Sequence, residues 1–168
     1  MKKEPTEEQE KGWRTEEKFR QMLSDQGIPY LPFCDNVEKF SSALGYFGTK
    51  RPDIMILLRY VGFLLVDVKH KKFKGHDNFL FDYDEVTKYT HFRDEFGHEI
   101  WYAISSVEEE YRFWHWIPAK QVINFELTTV NNKQCYRVPK KDCITVNSDG
   151  SFSQLFTTLF FKAQKQNE

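Results

Sequence analysis

"RPDIMILLRYVGFLLVDVKHKK" (Arg51–Lys72) has the apolar density of a sheet centre, yet Asp53, Asp67 and Lys69 interrupt it. A charge carried into a core is costly unless something compensates it. The stretch reads as two adjacent strands, DIMILLRY (53–60) and FLLVDVK (63–69), bounded by turn residues. Alternate residues of a strand share a face. In the second strand Phe63, Leu65, Asp67 and Lys69 share one face, and Leu64, Val66 and Val68 share the other. Both faces begin apolar, so this strand is central and covered on both sides. Asp67 and Lys69 emerge together at its end.

The connection decides where Asp53 points. A two-residue turn at Tyr60-Val61 sets position 53 opposite 68 and turns Asp53 away from Asp67. A three-residue loop, Tyr60-Val61-Gly62, sets 53 opposite 69 and 55 opposite 67. Gly62 favours the second, because such loops close on a residue with positive φ. Directly paired residues face the same way, so Asp53, Asp67 and Lys69 then converge. Upstream, a helix is expected from Thr6 or Lys11 to Gln26, stopped by Gly27 and Pro29. At about 100° per residue, Gly12, Glu16, Phe19, Leu23 and Gly27 form one stripe. Glu16 therefore faces inward and Glu17 does not.

Three convergent carboxylates repel one another unless a cation sits between them. A hard divalent cation such as Mg²⁺ suits a few carboxylates, keeps waters and leaves room for phosphate oxygens. Such an ion polarises a phosphoryl oxygen and acidifies water. Lys69, an ammonium, cannot ligate it but can stabilise charge that develops on phosphorus or orient the attacking water.

At this point the chain resembles the PD-(D/E)XK nuclease superfamily, in particular its Holliday-junction-resolvase-like and restriction-endonuclease-like members. The matching residues are Pro52-Asp53, then Asp67-Val68-Lys69 across a hairpin, and the upstream helix with Gly12, Glu16, Phe19, Leu23 and Gly27. The resemblance covers roughly 12–106. It implies an α/β restriction-endonuclease-like fold, with an αβββαβ core and a central mixed sheet flanked by helices. It implies a metal-dependent endonuclease using Mg²⁺, with Mn²⁺ as substitute, to hydrolyse phosphodiester bonds in DNA. Metal binding falls on Asp53, Asp67 and Glu16, and the catalytic lysine on Lys69. Members of the superfamily often carry a Gln or Lys in the helix after the D-x-K strand; Lys88 is the nearest polar candidate here.

Composition bounds the alternatives. A chain of 168 residues is expected to form one domain, with its core at about 11–106 and an extension of strands and a helix at about 107–168. With 40% hydrophobic residues and 16 Phe, disorder is excluded. The net charge of −1 means that any phosphate-binding surface must be local. One local basic run exists, KHKKFKGH (69–76), whose Lys71, Lys72 and Lys74 are candidate phosphate-backbone contacts. Cys34, Cys135 and Cys143 form no C-x-x-C pair, which argues against a zinc ribbon or a disulfide framework. No segment reads as a signal peptide or a membrane span, so a soluble, cytoplasmic protein is expected. The histidines (70, 76, 91, 98 and 115) show no zinc-type spacing and read as surface or structural residues.

Further along, FDYDEVTKYTHFRDEFG (81–97) reads as a helix closed by Gly97 and EIWYAISS (99–106) as a strand. FWHWIP (113–118) reads as a half-buried strand, NNK (131–133) as a turn, and SDGSFSQLFTTLFFKAQ (148–164) as an amphipathic helix. VEEEY (107–111) reads as an exposed acidic turn. A homodimer is the expected assembly if both strands of a duplex are cut. The competing reading is a catalytically silent nucleic-acid-binding or assembly protein with the same fold; a non-nuclease phosphohydrolase lacks any Gly-rich phosphate loop.

Overall fold

The computed structural model describes residues 4–33, 47–60, 62–72 and 77–150. The expected Lys74, His76, Cys34 and C-terminal helix lie outside the described residues. Helix α1 (Glu7–Asp25) takes the earlier of the two expected starts. Thr6 caps it through a capping box: its hydroxyl accepts from the Gln9 N–H, and the Gln9 side chain accepts from the Thr6 N–H at 2.9 Å. The strands follow as β1 (Tyr30–Pro32), β2 (Ile54–Leu58), β3 (Gly62–His70) and β4 (Asn78–Asp82). Helix α2 (Tyr83–Phe96) comes next, then β5 (Ile100–Ser105), β6 (Phe113–Pro118), a short α3 (Ala119–Val122), β7 (Glu126–Val130), β8 (Lys133–Pro139) and β9 (Ile144–Asn147).

The main sheet has six strands in the order β1-β2-β3-β5-β6-β9. β3 and β5 run parallel and the other neighbours antiparallel. This is the expected α/β class with a central mixed sheet, and α1, β1, β2, β3, α2 and β5 supply the αβββαβ order. One core lies on the α1 face, where Phe19, Met22 and Leu23 meet Ile54, Val66, Val68, Trp114 and Trp116. The other lies on the α2 face, where Val86 and Tyr89 meet Leu65, Ile100, Tyr102 and Ile104. A separate three-stranded sheet, β4-β8-β7, turns Phe79, Phe81 and Val138 into that second core.

Four expectations change. The hairpin pairs Ile54 with Val66 and Met55 with Leu65, two residues off the expected register, so β2 already ends at Leu58. A shift of two preserves which face each side chain takes, and Gly62 does adopt a positive φ of 128°. Phe81 and Asp82 belong to β4 instead of the helix; the Asp82 side chain caps α2 by accepting from the Glu85 N–H at 3.2 Å. β6 is buried on both faces, not half-buried: Trp114, His115 and Trp116 are each about 1% exposed. The acidic turn is also less exposed than expected, because Glu109 reaches inward to His115 and Lys140 and Tyr111 is buried.

His115 ties these additions together. Its Nε2 lies 3.2 Å from Glu109 and its Nδ1 2.9 Å from Thr145 Oγ1. Burial holds the imidazole below its usual range, outweighing the Glu109 carboxylate. A neutral ring fits both partners: Nε2–H donates to Glu109, and Nδ1 accepts from the Thr145 hydroxyl. A base whose folded value is depressed contributes stability that is present above the unfolded value of about 6.5 and lost as pH falls below it. The drop in melting temperature from about pH 7 to about pH 5 should therefore be smaller in His115→Gln than in wild type. Equal drops in a thermal melt would mean that His115 titrates normally.

Candidate active site

A cleft of about 1010 Å³ opens at the C-terminal end of β3. Its floor is Val68 to Lys72, one wall comes from α1 through Lys11, Gly12 and Glu16, and the other from Asn78, Leu80 and Arg137 of the small sheet. Asp53 and Lys69 both line it. Asp67 does not: its carboxylate is fully buried behind Lys69.

β3 alternation puts Asp67 and Lys69 on the α2 face, next to Leu65 of that core. Lys69 Nζ lies 2.6 Å from Asp67 Oδ2 and 2.9 Å from Glu85 Oε2. Lys50 Nζ lies 2.5 Å from Glu85 Oε2 and 3.5 Å from Asp67 Oδ1. The Tyr89 hydroxyl contacts Asp67 Oδ1 and also lies 3.3 Å from the Arg51 carbonyl oxygen. Two ammonium groups thus sit between two carboxylates. Burial opposes the Lys69 charge, but Asp67 and Glu85 outweigh it and hold the ammonium above its usual range. Burial likewise opposes the Glu85 charge, but Lys69 and Lys50 draw its carboxyl down to about 2.

Asp53 is treated differently. Burial, reinforced by the Asp67 charge, pushes its carboxyl up to about 8, although its Oδ2 accepts from the Val68 N–H at 2.8 Å. Glu16 adds to that repulsion from the α1 wall. Glu16 is half-buried and Glu17 exposed, so the structure places Glu16 on the cleft side of the helix.

The donor chemistry fits a hard cation. Asp53 and Glu16 reach the cleft as oxygen donors, and Asp67 stands behind them with its Oδ2 against the Lys69 ammonium. The geometry is not a ready cage: among the described residues no three acidic, His or Cys side chains group closely enough to hold an ion. Lys69 lies on one of the oxygens such an ion would take.

Of the other expected contacts, Lys71 and Lys72 line the cleft. Lys88 is exposed and does not line it. Glu85, Tyr89 and Lys50 take the places that sequence reasoning left blank. The spacing of Glu85 and Tyr89, four residues apart and so on one helical face, is the signal for two of them. Lys50 lies in a stretch with no periodic pattern.

No protein-family model and no curated protein matches the chain. Solved structures do. A nuclease from a fusselovirus superposes with a TM-score of 0.52 at 14% identity, covering 85% of this chain and 89% of that one. Hjc, a Holliday junction resolvase from the archaeal hyperthermophile Archaeoglobus fulgidus, gives a TM-score of 0.49 at 19% identity over 78% of this chain and 85% of that one. A bacterial homing endonuclease gives 0.47 at 15% identity over 94% and 96%. At these identities the shared property is the fold, and the viral nuclease carries that likeness: the chain has the restriction-endonuclease-like fold. Among the described residues, no helix is long and apolar enough to cross a membrane.

Asp53 makes the site testable without any ligand. Below about pH 4 both folded and unfolded chains hold its proton; between about 4 and 8 only the folded chain does, so ionisation favours unfolding as pH rises. Asparagine mimics the protonated carboxyl. Asp53→Asn should therefore gain stability over wild type from about pH 5 to pH 8, at no more than about 1.4 kcal/mol per pH unit. Urea unfolding without divalent ions measures this, and a difference independent of pH would show that Asp53 ionises normally.

Proposed function

We propose that the protein is a metal-dependent endonuclease that hydrolyses phosphodiester bonds, with DNA as its substrate. The observation that carries this reading is the meeting, at one cleft of a nuclease fold, of Asp53, Lys69 and Glu16, with Asp67 buried directly behind Lys69. The cleft also presents Lys71 and Lys72, which supply phosphate-backbone contact without reading sequence.

Asp53, Asp67 and Glu16 would hold the cation, Mg²⁺ or Mn²⁺. When bound, it supplies charge neutralisation at a phosphoryl oxygen and a more acidic water. Asp53 gives up its proton as it binds, so metal affinity rises with pH towards about 8. Lys69 stays charged throughout and is oriented by Glu85, so its donor is fixed before negative charge develops on phosphorus. Lys50 contacts the same Glu85 oxygen at 2.5 Å, so that carboxylate is shared between two ammoniums. The silent alternative has one supporting observation, the ammonium now lying on Asp67, and the same experiment decides it.

Single-turnover cleavage of plasmid, linear single strands and branched junctions, with Mg²⁺ or with chelator, tests the proposal. Lys69→Ala should lower the rate at saturating protein by about 10²–10³-fold while leaving most of the binding, because its interaction belongs to the transition state. Asp67→Asn should also stop cleavage, through lost metal affinity, and added Mn²⁺ should restore part of it. Binding by wild type with no metal-dependent cleavage of any substrate would favour the silent reading.

A further inference from the structure

The two walls of the cleft differ in charge. The α1 wall offers Lys11 but also Glu8 and Glu16. The opposite side offers Lys71, Lys72 and Arg137, and the other residues that the small sheet puts there, Asn78, Phe79, Leu80 and Val130, carry no charge. β8 pairing explains the position of Arg137. It stands opposite Leu80 on one side and Glu126 on the other, on the face away from Val138, which is buried in the core. Val130 shares that face at two-residue spacing from Glu126. Among the described residues no carboxylate forms a salt bridge with Arg137, Lys71 or Lys72, and Glu126 does not reach Arg137. Lys71 lies 5.6 Å from the centre of the Phe81 ring, and burial and the neighbouring Lys69 hold its ammonium below the usual range. These cations, none of them in a salt bridge among the described residues, are set beside the apolar Leu80 and Val130, in the same cleft as Asp53 and Lys69.

We propose that the β4-β8-β7 sheet is the second wall of a nucleic-acid groove, and that Arg137 with Lys71 and Lys72 forms a subsite for a phosphate flanking the one to be cut. This rests on the nuclease reading and adds the path of the strand: it leaves the site along the small sheet, away from the carboxylates of α1. Arg137 presents a guanidinium fork to two phosphate oxygens. Leu80 and Val130 offer apolar surface to the sugar or base edge beside it.

Binding of fluorescent oligonucleotides in chelator, titrated with salt, tests this without relying on cleavage. Arg137→Ala should bind several-fold more weakly at about 0.1 M salt. Its salt slope should be smaller by about 0.7 on a single strand or about 0.9 on a duplex, the loss of one phosphate contact. Arg137→Lys should keep the slope. Neutralising linkages one at a time as methylphosphonates should reveal one linkage whose loss weakens wild type and has no effect on Arg137→Ala. Arg59→Ala, an exposed cation on the β2–β3 hairpin and outside the cleft, should match wild type. If wild type binds and Arg137→Ala matches it in affinity and slope, the subsite is wrong and the nuclease reading stands. An equal loss in Arg59→Ala reduces the effect to net charge and also overturns the subsite. If wild type binds no nucleic acid at any salt concentration, both proposals fall together.

Discussion

The fold depends on how the Asp67 carboxylate is accommodated. It is fully enclosed in the middle of the main sheet, on the face where Leu65 and Tyr102 are core. An ionised carboxylate there is tolerable only if its charge and its lone pairs are met. The partners come from three separate places. Lys69 is two residues along the same strand, Lys50 comes from the segment that enters β2, and Tyr89 comes from α2. The same hydroxyl, whose proton goes to Asp67, lies 3.3 Å from the Arg51 carbonyl, so the entering segment sits beside the buried carboxylate. Moving any of these elements strands a charge in the core. The network that stabilises the sheet is therefore also the rear wall of the cleft, and its residues cannot be optimised for either role alone.

Charge balance within this network explains why neighbouring carboxyls behave oppositely. Asp67 and Glu85 share two ammoniums, Lys50 and Lys69, and that set is neutral among itself. Asp53 lies outside that set, on the cleft side. Glu85, in contact with both ammoniums, is held ionised; Asp53, which faces the Asp67 charge and is partly desolvated, keeps its proton at neutral pH. Pairs of carboxyls driven apart in this way are how one site holds groups for different tasks. An arriving cation gains least at Glu85, whose charge is already met by two ammoniums, while at Asp53 it displaces a proton.

Much of this was legible in the sequence because side-chain parity is robust. The hairpin register is two residues from expectation, yet two residues is a full strand period, so Asp53 and Asp67 keep their face. The phase of α1 was legible because Phe19 and Leu23 mark its buried side without ambiguity. The phase of α2 was not: only Val86 and Tyr89 are buried along it, and Lys88, taken from the resemblance, is exposed, whereas Glu85 meets Lys69. Of the β4-β8-β7 sheet only the β7–β8 hairpin left a local trace, its turn at 131–133; the β4–β8 pairing joins Asn78 to Pro139, far apart in the sequence. Trp-His-Trp in β6 alternates like a half-exposed strand, and the reason it is buried, a histidine satisfied by Glu109 and Thr145, lies in contacts that sequence spacing does not reveal.

The role of Pro52-Asp53 follows from backbone accounting. The β2–β3 ladder ends at Ile54 and Val66, with one further bond from the Asp53 N–H to the Val66 carbonyl at 2.9 Å. Proline 52 has no N–H to offer, so the ladder cannot continue through it. The next β3 donor, the Val68 N–H, would be left without a β2 acceptor, and a buried unpaired amide is costly. The Asp53 side chain takes that place, accepting from Val68 at 2.8 Å. The same residue lines the cleft. Proline stops the strand, and aspartate replaces the missing backbone carbonyl; the carboxyl is positioned because it also finishes the sheet. A residue that only capped the strand could be asparagine. What distinguishes aspartate is the charge it carries at the cleft once the proton leaves.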